Sequence, residues 1–311
     1  MSEDLSGYLP VARFGEITFQ EGVASGMSGA TVRSVTTTQG TYILRVFHGD
    51  PATWDRTLAI QRLVASSGIS PPLLHVDQEH RCTVSQKIAA SSFSAAAAQP
   101  ESRQEALVSL AAILAKLHAL PTHGFCAQST VQWVREVWVS QSSRAGFPTW
   151  ALGLAPRLTT IEGCLAQDDR QVLSHGDLNP SNILWDGVRA WLIDWDGAGL
   201  SHPYLDLATL ANFLGLPDEA ATGLLAMQEQ TGIDAGQKET FKACRDLARI
   251  AYGCVFLRLI SDLTEVTFES MAGTAALSQC FSRVVDGSLS MASAEGQSSI
   301  GAAFFKQCLE A

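Results

Sequence analysis

The sequence predicts an α+β protein of two lobes, with an antiparallel sheet in residues 1–88 and a mostly helical lobe over residues 89–311. Three observations carry this. A chain of 311 residues exceeds what one hydrophobic core usually serves. Runs of β-branched residues separated by turn residues crowd the first 88 positions, whereas beyond position 100 apolar residues recur at helical spacing. Hydrophobic residues make up 46% of the chain and glycine and proline are ordinary, so the chain is globular rather than disordered.

The elements follow in order. Residues 1–22 read as a short helix and a first strand. Residues 23–32 form a glycine- and serine-rich turn ahead of two strands, 33–37 and 41–47, divided at Gln39-Gly40. Glycines in such a turn let backbone N–H groups approach phosphate oxygens, although two glycines three apart also suit a plain hairpin. Helical periodicity over 55–66 ends at Gly68, and two strands, 73–76 and 82–88, close the first lobe. Residues 91–100, rich in alanine and serine, read as a loop.

The second lobe opens on a helix over 101–120, with Leu107, Leu110, Ala111, Leu114 and Leu117 on one face. His118 falls near its end and reads as structural. Residues 131–139 are amphipathic and carry Trp133 and Trp138, which suit packing better than a pocket wall. Residues 159–166 are helical again. After a hairpin come helices over 205–214, 218–230 and 237–263. The last carries a core stripe of Leu247, Ile250, Cys254 and Leu257, and a second face of Arg245, Arg249, Tyr252 and Phe256 that suits a cleft or water equally. The serine- and glycine-rich tail from Val285 reads as loose up to a final helical turn at 302–309.

Charged residues are only 17% of the chain, and the 31 acids against 21 bases give a net charge of −10. That sign argues against a nucleic-acid or anionic-membrane surface and is compatible with a cationic small-molecule partner. Seven cysteines, scattered and without a CxxC pair, speak against a zinc site or a disulfide framework and for buried free thiols in a reducing compartment. The first sixteen residues lack the basic start and apolar core of a signal peptide, and no apolar run approaches bilayer length. A cytoplasmic protein, monomer or homodimer, is expected.

The most informative stretch is 175–206, which gathers Asp177, Asn182, Asp194, Asp196 and Asp206. Trp185-Asp186-Gly187 is a turn signal between two short apolar runs, so the stretch reads as a β-hairpin. An antiparallel pair sets the start of one strand beside the end of the next, which puts Asn182 next to Asp194, with Asp177 in the loop feeding that end. Two carboxylates and an amide oxygen are hard ligands that suit Mg²⁺.

Within this stretch HGDLNPSN fits the H-x-D-x-x-x-x-N catalytic loop of kinases, with Asp194 twelve residues on. The local form, His-Gly-Asp and Ile193-Asp194-Trp195-Asp196, resembles the aminoglycoside phosphotransferase and choline kinase superfamily. LIDWDGAGLSHPYLDLATLANF looks most like its bacterial choline, ethanolamine and thiamine kinase branch. The resemblance extends to the Ser25-Gly26-Met27-Ser28-Gly29 turn, in the place of the family's phosphate loop, and to Leu114-Ala-Lys-Leu-His118 on its central helix.

The resemblance implies a protein-kinase-like fold and an ATP- and Mg²⁺-dependent transfer of phosphate to a hydroxyl of a small cationic molecule. Asp177 would orient the hydroxyl or accept its proton, His175 would brace the loop, and Asn182 with Asp194 would hold Mg²⁺. Ser25 to Gly29, Arg45, Gln86 and Ile88 would contact the nucleotide. Asp206 would fix the loop backbone, a role that leaves room for capping the next helix, and Asp196 would face metal or substrate. Two features depart from the family pattern. Arg45 stands where most kinases place a lysine, and the helix over 55–66 lacks the glutamate that would pair with that cation, Asp55 being the only acid near. An aminoglycoside phosphotransferase and a non-catalytic nucleotide-binding module are the alternatives.

Overall fold

A computed structural model of the chain describes residues 7–23, 30–125 and 130–310. In chain order the elements are α1 (Val11–Phe14), β1 (Ile17–Gly22), β2 (Ala30–Thr37), β3 (Gly40–Phe47), α2 (Pro51–Ser66), β4 (Leu73–Asp77), β5 (Cys82–Gln86), β6 (Ser91–Ser92), α3 (Phe93–Ala98) and α4 (Pro100–His118). There follow α5 (Thr130–Ser142), α6 (Leu154–Leu165), β7 (Val172–Ser174), β8 (Ile183–Trp185), β9 (Ala190–Leu192), β10 (Gly199–Ser201), α7 (Leu205–Phe213), α8 (Asp218–Glu229), α9 (Ala235–Arg258), α10 (Leu277–Val285) and α11 (Ala294–Glu310). They form two compact units, Met1–Leu117 with Ser181–Ala198, and His118–Pro180 with Gly199–Ala311.

In the first unit, five strands pair antiparallel in the order β1-β2-β3-β5-β4. Alternation along β2, β3 and β5 sends Val35, Leu44, Val46, Cys82 and Val84 to one face, where they pack with Leu9 and Phe14. On α2, Asp50 accepts the N–H of Thr53 at 3.0 Å, and Pro51 occupies the first turn. This cap starts the helix a turn before the residue 55 expected from periodicity. The segment expected as a loop over 91–100 is ordered instead. Ser92 caps α3, Phe93 is fully buried, and β6 pairs with β8. Through that pairing, and through Ser109 Oγ accepting the N–H of Ala190 at 2.9 Å, residues 89–117 and 181–198 pack with the sheet. The compact units are thus drawn differently from a covalent division at 88/89.

The second unit is built around α9, whose start is set by a capping box between Asp234 and Gln237. Leu247, Ile250, Cys254 and Leu257 are fully buried, as the stripe predicts. The second face divides: Arg245, Arg249 and Phe256 are 2%, 3% and 7% exposed, whereas Tyr252 is half-buried and reaches Asp177. The arginine charges are met inside, Arg249 by Asp246 at 2.6 Å and Arg245 by Asn212, by the Leu216 carbonyl and by Asp218. The tail corrects a second expectation. Residues 277–310 form α10 and the 17-residue α11, with Ile300, Phe304, Phe305 and Cys308 buried. Close approach to α9 explains the small residues there, because a Cβ on Gly301 would lie 2.2 Å from Leu257 Cδ1.

Candidate active site

The second unit carries the loop that follows β7. Asp206 lies in the first turn of α7 and is 2% exposed. It does not cap that helix; its oxygens reach back to accept Ser174 Oγ at 2.8 Å, the N–H of His175 at 2.8 Å and that of Gly176 at 3.0 Å. His118 Nε2, at the end of α4, stands 3.6 Å from the same carboxylate. Burial pushes the Asp206 carboxyl up, yet the nearby His118 imidazole, with His175, outweighs it and holds it below the ordinary value. Gly176, at φ +77°, supplies the left-handed turn that brings two successive N–H groups to one carboxylate.

Asp177 follows directly. Its N–H meets His175 Nδ1 at 3.4 Å, and the His175 side chain is fully buried. Oδ1 of Asp177 accepts Asn179 Nδ2 at 3.1 Å and the hydroxyl of Tyr252 from the middle of α9. Burial, with the Asp177 charge and hydrogen bond adding to it, raises the Tyr252 phenol well above its usual value. Tyr252 therefore remains a donor. Its ring packs edge-on to Phe213 at 4.8 Å and stacks near Phe304 at 5.7 Å.

The first unit carries the hairpin. Register pairs Ile183 with Leu192 and Trp185 with Ala190, and Asp186 caps the turn by accepting the N–H groups of Val188 and Arg189. A further bond, from the Ile193 N–H to the Asn182 carbonyl at 3.0 Å, extends the ladder one step, so Asp194 follows directly on the residue paired with Asn182. Asp194 has φ +64°, a left-handed conformation that aspartate tolerates better than most residues. Trp195 beside it is 3% exposed and donates to Ser70 Oγ at 3.3 Å.

Arg45 sits at the centre of the sheet, opposite Val32 on β2 and Thr83 on β5. Its neighbours Leu44 and Val46 face the core, and its own side chain faces away. Nη2 contacts both oxygens of Asp196, each at 2.5 Å. Gln86 ends β5 opposite Tyr42, so the strand stops two residues short of the expected end and Ile88 lies beyond it. Ser25, Gly26, Met27, Ser28 and Gly29 lie outside the described residues.

The hairpin joins Asn182 to the Asp194 segment as its turn predicts, and β3 is joined to Asp196 across 151 positions. Asp177 belongs to the second unit, and Asn182 and Asp194 to the first. Tyr252 and Asn179 are the additions that sequence reasoning missed as partners of Asp177. Only the adjacency of Asn179 could have suggested one of them. One amide and one carboxylate oxygen form a donor set that fits Mg²⁺, which draws few ligands from protein. Among the described residues no cluster of three or more His, Cys, Asp or Glu is arranged around a metal position, so this pair is not an all-protein cage.

The model of a family described as "Phosphotransferase enzyme family" matches residues 20–239. Curated relatives include LicA of Haemophilus influenzae, 43% identical over 51 residues, 16% of this chain and 19% of LicA. The chain thus covers less than a fifth of that relative's length. Among solved structures, a choline/ethanolamine kinase family protein of Mesorhizobium loti superposes with a TM-score of 0.68 over 97% of each chain, at 18% identity. Choline kinase LicA of Streptococcus pneumoniae gives 0.62 over 89% and 95%, at 18% identity. Aminoglycoside 2'-phosphotransferase-IIIa, solved with GDP, gives 0.63 over 80% and 89%, at 15% identity. These likenesses show the shared kinase-like α+β fold, and the match over 20–239 shows that the chain belongs to the phosphotransferase enzyme family.

Proposed function

We propose that the protein transfers the γ-phosphate of ATP, with Mg²⁺, to a hydroxyl of a small cationic metabolite of choline, ethanolamine or thiamine type. The observation that carries the reading is the bracing of the 174–177 loop. Asp206 ties down three successive residues of the loop, and Asn179 and Tyr252 hold one oxygen of Asp177. Phosphoryl transfer needs alignment of hydroxyl and phosphate more than covalent help. A carboxylate with one oxygen fixed keeps a defined direction in which to orient the acceptor hydroxyl and take its proton as the oxygen bonds to phosphorus and ADP leaves.

Asn182 and Asp194 are the residues that would hold the metal, whose positive charge neutralises the phosphate oxygens. Arg45 supplies a second positive group toward the phosphates. Gln86, Ile88 and residues 25–29 complete the nucleotide contacts in this reading, so that residues 1–88 act as the nucleotide-binding lobe and 89–311 as the catalytic lobe. The acidic balance of the chain favours a cationic acceptor. No helix among the described residues is long and apolar enough to cross a membrane, and a cytoplasmic monomer or homodimer suits a metabolite kinase.

ADP release measured with ATP and Mg²⁺ over choline, ethanolamine, thiamine and a set of aminoglycosides tests the proposal. Turnover on one of the first three supports it, turnover on aminoglycosides alone replaces the acceptor class, and ATP binding without turnover on any of them makes the chain a nucleotide-binding module. Asp177→Ala is expected to lower kcat by roughly a thousandfold or more while nucleotide affinity stays within about twofold.

A further inference from the structure

The cation on β3 has an acid partner, and it is not on α2. The only acid of α2 is Asp55, on an exposed position of that helix. Arg45 instead meets Asp196, two residues after Asp194 and 151 positions along the chain. The Arg45 side chain is 13% exposed and that of Asp196 22%, so water screens the contact far less than it would a pair on the open surface. Asp196 has little freedom to swing away, because Trp195 before it is buried and bonded to Ser70.

The contact is also one-sided. Both oxygens of Asp196 lie on Nη2, and among the described residues no hydrogen bond is made by Nη1 or Nε of Arg45. A guanidinium gripped at one nitrogen is tethered there and keeps three remaining N–H vectors in a fork suited to phosphate. Phe47, its ring centroid 5.8 Å from the Arg45 Cζ, limits motion on a further side.

We propose that Asp196 is the positioning residue for Arg45. It holds the guanidinium at the position from which the free donors meet the polyphosphate of the nucleotide. This rests on the ATP-dependent reading above. The sign of one substitution separates it from the opposite role, in which Asp196 occupies the place of a phosphate and competes with the nucleotide. A brace that is removed weakens binding, and a competitor that is removed tightens it.

The test is calorimetric binding of ADP and of adenosine to the full chain in EDTA, so that neither metal nor turnover enters the readout. Asp196→Asn is expected to weaken ADP about tenfold and to leave adenosine within about twofold, since only the phosphates meet Arg45. In an Arg45→Gln background the same change is expected to alter ADP affinity by less than about twofold. Unchanged or tighter ADP binding in Asp196→Asn, or an equal loss in the Arg45→Gln background, overturns the proposal. Should Asp196→Asn fail to unfold cooperatively, Arg45→Lys with Asp196→Glu carries the test. The shorter cation loses ADP affinity, and the longer acid is expected to restore at least about a threefold part of it; no recovery overturns the proposal. If the unsubstituted chain binds neither ADP nor ATP, the kinase reading fails and this one with it. If it binds them and the two substitutions add independently, only the role of Asp196 fails.

Discussion

Asp206→Asn is the most informative single change to the catalytic loop. Asp206 is buried and accepts three hydrogen bonds, two of them from successive backbone N–H groups. An asparagine keeps one carbonyl oxygen, which can stay with Ser174 and Gly176, and turns its NH₂ toward the N–H of His175. One charge-assisted bond is lost and a buried donor faces another donor. A bond to a charged acceptor contributes about 1.5–3 kcal/mol and an unsatisfied buried donor costs about 1–3 kcal/mol, so a loss of about 3 kcal/mol is expected. That is a large share of the roughly 5–15 kcal/mol typical of a folded domain.

Urea unfolding followed by circular dichroism measures it, read as a shift in midpoint at constant slope. The pH dependence supplies a sign. The folded-state carboxyl is held below the ordinary 3.8, so the stability it contributes is fully present above that value. It is lost as pH falls through the lowered one. The gap between wild type and Asp206→Asn is therefore open at pH 5 and begins to close below about pH 4. A loss under about 1 kcal/mol, or a gap that instead widens as pH falls below about 4, would refute the bracing role of Asp206.

Three further outcomes are expected. Tyr252→Phe keeps the ring packing against Phe213 and Phe304 and removes the donor to Asp177; kcat should fall about tenfold with stability changed by under about 1.5 kcal/mol, and an unchanged kcat would show that the hydroxyl does not orient the carboxylate. Gly146→Ala should destabilise by about 3 kcal/mol or more in urea unfolding, because φ is +81° and the new Cβ would lie 2.5 Å from the Leu263 carbonyl; a loss below about 1 kcal/mol contradicts that geometry. Burial pushes the thiols of Cys254 and Cys308 up to about 12 and that of Cys82 up to about 11, so iodoacetamide at pH 8, mapped by mass spectrometry, should modify them only after urea is added.

The five-stranded sheet was readable because its strands are β-branched runs bounded by turns, and α4 and the core stripe of α9 because their apolar spacing is strong. Failures share a physical cause. In 91–100 small residues gave no periodicity, yet one phenylalanine finds a fully buried place and a serine caps the turn in front of it. The tail from 285 looked loose because of its glycine, serine and alanine content, and in α11 such small residues permit close packing on α9 rather than signalling a linker. On α9 itself Arg245 and Arg249 looked like a solvated or cleft-facing stripe. They are buried because Asn212, Asp218 and Asp246 meet them, and two of those acceptors lie more than 25 residues away along the chain.

The same distance in sequence separates what the candidate site disclosed from what it withheld. Asn182 and Asp194 could be paired from a turn of known type, because a hairpin converts short spacing into register. Tyr252 lies 75 positions from Asp177, and no local rule connects a tyrosine in the middle of a long helix to a loop aspartate. Arg45 and Asp196 lie twice as far apart, and there the expectation went astray, because the partner was sought on α2, the nearest helix in sequence. An ion pair needs only that two charges share a place in the fold, so the element that supplies the acid can change while the pairing of the cation persists. The missing glutamate of α2 is therefore weak grounds for reading the chain as a non-catalytic relative: the arginine on β3 still has a carboxylate, carried by the segment that also bears Asp194.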